Sequence, residues 1–63
     1  MKAYLLPLNM SEGGLCNPNS LKFEEARFIH FAETDGYVMS LQELERRINE
    51  YTIDLSRFYI IFR

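Results

Sequence analysis

Apolar residues fall in short runs along the chain, and the spacing within each run predicts an element. Residues 2–7 (Lys-Ala-Tyr-Leu-Leu-Pro) read as a first strand. Pro7 ends it or confines it to an edge, because proline cannot donate to a ladder. Residues 9–20 carry Gly13-Gly14 and Asn17-Pro18-Asn19, which is turn chemistry, and read as a long connector. The β-prone composition of Arg27 to Glu33 predicts a strand from about Ala26 to Glu33. The stretch before it is open between a helical turn capped by Ser20 and an extended lead-in. Asp35-Gly36 then predicts a type I′ hairpin, with positive φ at both residues, returning through Tyr37-Val38-Met39.

Ser40-Leu41-Gln42-Glu43 fits a capping box, so a helix is expected to begin at Ser40 and fade near Asn49 or Glu50. Leu41, Leu44, Ile48 and Tyr51 fall on one helical stripe. Glu43 precedes Arg47 by one turn, the favourable order for an ion pair. Thr52 to Ser56 is a connector. Arg57 to Arg63 (Arg-Phe-Tyr-Ile-Ile-Phe-Arg) reads as a last strand. The order β-loop-β-β-α-β predicts a single small α+β domain over residues 1–63. It would hold an antiparallel sheet of about four strands with one main helix packed on one face.

The strand patterns do not fit a sheet covered on one side only. Phe58, Ile60 and Phe62 alternate to one face, and Tyr59 and Ile61 to the other, with Arg57 and Arg63 at its ends. Within the expected strand at 26–33, Ile29 and Phe31 oppose Phe28, His30 and Ala32. Both faces therefore carry large apolar groups. The face bearing Phe28, His30, Tyr59 and Ile61, rimmed by Arg57 and Arg63, becomes the candidate interaction surface. It could be covered by the 9–20 connector through Met10 and Leu15, by a second copy of the chain, or by another protein.

Composition sharpens this picture. Hydrophobic residues are 48% of the chain and aromatics 14%, too rich for intrinsic disorder. The formal net charge of −2 disfavours nucleic acid as a partner. Aromatics flanked by Arg on a sheet face nonetheless keep single-stranded nucleic acid as the alternative. Cys16 is the only cysteine, which excludes an intrachain disulfide and points to a reducing, cytoplasmic setting. Structural zinc wants about four Cys or His ligands, and only Cys16 and His30 are present. No apolar run approaches the ~20 residues of a membrane span. The apolar run before Pro7 is too short for a secretory signal, and the Asn9-Met10-Ser11 triplet is read as a chance match to a glycosylation sequon.

Candidate chemistry is sparse. Cys16 would need a base to act as a nucleophile, and His30 is the only histidine. The carboxylates Glu24, Glu25, Glu43 and Glu45 fall on solvated stretches, and Asp35 is taken by its turn. Gly13-Gly14 lacks the Lys-Ser/Thr of a phosphate loop. No enzyme activity, cofactor or small-molecule ligand is expected. The sequence points to a non-enzymatic protein-interaction or regulatory module, for which homodimerisation is the simplest use of the surface.

Overall fold

The computed structural model describes residues 1–10 and 13–63. The elements are strand β1 (Lys2–Pro7), helix α1 (Glu25–Asp35), strand β2 (Tyr37–Ser40), helix α2 (Leu41–Asn49) and strand β3 (Phe58–Phe62). Short 3-10 turns occupy Leu8–Met10, Gly13–Leu15 and Leu55–Arg57. The sheet has three strands in the order β2-β1-β3, and β1 pairs antiparallel with both neighbours. β2, α2 and β3 thus form a split β-α-β unit with β1 inserted between its strands.

β1 organises the core because its side chains alternate between two covered faces. Ala3 and Leu5 enter one cluster with Met39 and Leu44, joined by Leu41, Ile53, Leu55, Phe58 and Ile60. Leu6 enters a second cluster with Cys16, Phe28 and Ala32, joined by Tyr4, Leu15, Phe23, Phe31, Tyr59 and Ile61. α2 covers the first face and α1 covers the second, each lying chiefly over β1 and β2. The architecture is therefore α+β, but with three strands and two helices, and both sheet faces are occupied.

Three expectations change. The strand expected at 26–33 is the helix α1. Glu25, Phe28, Ile29 and Ala32 stand at i, i+3, i+4 and i+7, which is helical spacing. Phe28 and Ala32 turn into the sheet, while Ala26, Arg27, His30 and Glu33 face outward. The Asp35-Gly36 hairpin is not formed either. Asp35 ends α1, and Gly36 follows at φ −121°, donating its N–H to the Ala32 carbonyl. Glycine is required there for space: a Cβ would collide with the Leu5 carbonyl oxygen and press on the Ala32 Cα. Finally, of the two side chains through which the 9–20 connector could cover the second face, Leu15 packs there and Met10 is exposed. Cys16, next to Leu15, is fully buried in the same cluster, while positions 11 and 12, with the serine of the sequon, lie outside the described residues.

Pro7 is accommodated in a central strand by the hydrogen-bond alternation. Leu41 N–H donates to the Met1 carbonyl at 3.3 Å, so the odd-numbered residues of β1 present their backbone to β2. The β1–β2 register ends at Leu5 opposite Tyr37, so the missing Pro7 N–H has no strand beside it.

α2 forms where expected and is closed at both ends. The Ser40 hydroxyl accepts from Glu43 N–H at 3.1 Å. The reciprocal half of the capping box is absent, because the Glu43 carboxylate turns to Arg46 and Arg47 instead. At the other end Tyr51 N–H donates to the Ile48 carbonyl at 3.1 Å and Thr52 N–H to the Arg47 carbonyl at 2.9 Å. These two bonds make a Schellman turn. It places Tyr51 in the left-handed region, φ 56°, and swings its ring off the helix stripe to 94% exposure.

Phe28 separates this two-helix arrangement from a one-helix sheet. Phe28→Ala, which empties the cluster under α1, should cost about 3–5 kcal/mol in denaturant unfolding. Phe62→Ala, on a half-exposed ring, should cost less than half as much. Equal losses at the two positions would place α1 off the sheet.

Candidate interaction surface

The six residues singled out from the sequence do not assemble into one open surface. Phe28 is fully buried beneath α1. His30 lies on the outer side of that helix, its ring edge-to-face with Phe31 at 5.9 Å. Tyr59 and Ile61 are half-buried against the α1 cluster. Arg63, on the same face, is held by the Glu25 carboxylate of α1. Arg57 sits at the far end of β3, 3.5 Å from the Asp54 carboxylate. The structure thus brings Tyr59 and Ile61 onto the cluster that contains Phe28, with Arg63 beside them, and leaves His30 outside that cluster and Arg57 at the far end of β3. With Tyr59 half-buried and both arginines ion-paired, the described residues of that face do not assemble an open aromatic platform of the kind on which bases stack.

What remains open is the outer edge of β3. Lys2 and Arg63 exchange both backbone bonds, Lys2 N–H to Arg63 O at 2.6 Å and Arg63 N–H to Lys2 O at 2.8 Å. Antiparallel alternation places the next exchanged pairs at Tyr4–Ile61 and Leu6–Tyr59. Phe58, Ile60 and Phe62 therefore turn their backbone groups away from the sheet. Phe58 N–H is taken by the Leu55 carbonyl. The N–H and C=O groups of Ile60 and Phe62 have no hydrogen-bond partner among the described residues.

The side chains along this edge are apolar without interruption. None of the five residues of β3 is fully buried, and Phe62 is 49% exposed. Both helices sit over β1 and β2, so β3 is flanked rather than covered. The opposite edge, β2, is four residues long and bounded directly by α1 through Gly36 and by α2 at Leu41. The sequence reading missed the edge because it weighed faces and not backbone parity. The visible signal was five consecutive apolar residues with no charge among them.

An open cleft of about 440 Å³ lies between the end of α2 and the start of β3, lined by Tyr37, Arg47, Thr52, Ile53, Asp54, Arg57 and Phe58. Its charged groups, Arg47, Asp54 and Arg57, are each engaged with a neighbour. Arg47 bonds the Glu43 carboxylate at 3.0 Å, and the Tyr37 ring packs edge-on against Phe58 at 5.7 Å. Asp54 accepts from the Ser56 hydroxyl at 2.6 Å and from Ser56 N–H at 3.0 Å, which holds its carboxyl below the usual range. Cys16 and His30 lie on opposite sides of α1, one in the core and one outside. Among the described residues no three His, Cys, Asp or Glu side chains cluster as metal ligands, and no helix is long and apolar enough to cross a membrane. No family model, curated protein or solved structure matches the chain.

The strongest electrostatic feature is Glu43. Hydrogen bonds from Arg46 and then Arg47 lower its carboxyl from 4.5 to about 2. The folded value lies below the unfolded one, so this contribution to stability is complete above pH 4.5 and is lost as pH falls toward 2. Thermal melts across that window should show Glu43→Gln with a shallower acid limb than the wild type. Parallel limbs would mean that the cluster leaves the fold's acid stability untouched.

Proposed function

We propose that this protein is a non-enzymatic interaction module that takes up an extended strand along the outer edge of β3. The observation that supports this most is the pairing of an unpartnered backbone with an unbroken apolar sequence. Sheet edges that stay solvent-exposed are normally blunted by charge, proline, a bulge or a cover. Among the described residues the β3 edge has none of these between Phe58 and Phe62. Strand addition supplies affinity through main-chain bonds and specificity through alternate side chains. Here those would be Ile60 and Phe62 on the α2 side and Tyr59 and Ile61 on the α1 side. A cytoplasmic setting accords with this reading, since the single cysteine, Cys16, is free.

Proline substitution tests the edge directly, because only alternate amides face outward. Phe62→Pro removes an outward N–H and should leave the fold intact while abolishing strand uptake. Ile61→Pro removes a bond to β1 and should unfold the domain. The probe is a synthetic peptide of alternating Val and Thr, followed by protection of the Ile60 amide from hydrogen exchange. Protection in the wild type that disappears in Phe62→Pro supports the reading. Protection that survives Phe62→Pro, or no protection at saturating peptide, overturns it.

A further inference from the structure

We infer that the strand taken up by β3 is β3 of a second copy, paired antiparallel about a two-fold axis at Ile61. The inference rests on the edge reading above and adds the occupant and its register.

The free groups of the edge select the register. Each copy offers the N–H and C=O of Ile60 and of Phe62, while Phe58 N–H is already committed to Leu55. A two-fold at Ile61 sets Ile60 opposite Phe62 of the second copy, and Phe62 opposite its Ile60. Each of these pairs exchanges both backbone bonds, so every free donor of one edge meets a free acceptor of the other. A two-fold at Ile60 would instead bring Phe62 C=O to a Phe58 N–H that is already occupied. It would also set Arg57 opposite Arg63 of the second copy, a like-charge pair.

Side chains agree with the same register. Ile60 and Phe62 meet as aromatic and β-branched neighbours on the α2 side, which covers the half-exposed Phe62 ring. Ile61 meets its own copy on the α1 side. Arg63 falls opposite Tyr59 of the second copy, where a guanidinium can lie over a phenol ring while its ion pair with Glu25 persists. No like charges stand opposite each other. The helices do not obstruct the seam, because both lie over β1 and β2. The product is a continuous sheet of order β2-β1-β3-β3-β1-β2. So short a seam belongs to the small, transient class of interfaces.

Sedimentation equilibrium of the full chain from micromolar to millimolar concentration reads the association, and cysteine crosslinking reads the register. Wild type should pass from monomer to dimer, and Phe62→Pro should remain monomeric with its helical circular dichroism unchanged. Ile61 faces its own copy at a non-hydrogen-bonded site, where Cα atoms are ~4.5 Å apart and a disulfide can close. Ile61→Cys should therefore crosslink efficiently under mild oxidation, and Ile60→Cys should crosslink at least tenfold less. Preferential crosslinking of Ile60→Cys, or dimerisation that persists in Phe62→Pro, overturns the inference. A chain that stays monomeric at millimolar concentration also overturns it. If the Val-Thr peptide still protects the Ile60 amide in that monomer, strand uptake stands and only the second copy is wrong; if it does not, both fall.

Discussion

The structure depends on β1 being buried on both faces. Leu5 and Leu6 are adjacent, point to opposite sides of the sheet and are both removed from solvent. A strand of this kind needs two covers. α2 provides one, and α1 with the Leu15–Cys16 segment provides the other. At ~25 cal/mol per Å² of apolar surface, burial of such side chains is the main favourable term open to a 63-residue chain with one cysteine. Both helices lie over β1 and β2, and no described element of comparable size lies over β3. The open edge is thus a consequence of how the core is closed.

Polar groups define this core without entering it. Among the described residues no polar or charged side chain is buried, and no buried side-chain nitrogen or oxygen lacks a partner. The polar interactions close elements instead. Ser40 caps α2, a Schellman turn ends it, and Asp54 caps the 3-10 turn that leads into β3. Glu43 gathers Arg46 and Arg47 on the exposed side of α2, and Arg46 also reaches Glu50 at 2.7 Å. Exposed pairs of this type each contribute little, and here they lie within α2 and support the helix itself.

Much of this was legible in the sequence where local chemistry agreed with tertiary demand. The Ser40 cap and the stripe of Leu41, Leu44, Ile48 and Tyr51 pointed to α2, although Tyr51 leaves the stripe, and the stretches at 2–7 and 57–63 pointed to β1 and β3. The segment 25–36 was misread because two local signals pointed away from the helix. Phe28, Ile29 and Phe31 raise strand propensity, and Asp35-Gly36 imitates a hairpin turn. Gly36 is there for a different reason, the close approach of the Leu5 carbonyl, which no local pattern reveals. The two apolar faces expected of the last strand are present, Phe58 and Ile60 on the α2 side and Tyr59 and Ile61 on the α1 side, whereas the same expectation at 26–33 rested on a strand that is a helix. The apolar run of β3 was legible, but not which of its backbone groups face outward, because that depends on which neighbour β1 gives to each residue.

The central claim is that β3 pairs on one side only. Amide hydrogen exchange of the dilute chain tests it residue by residue. Tyr59 and Ile61 should exchange slowly, with Ile60 and Phe62 between them exchanging fast, an alternation with the period of the strand. Slow exchange at all four amides in the monomer would mean that the edge is already covered from within, and would contradict the account.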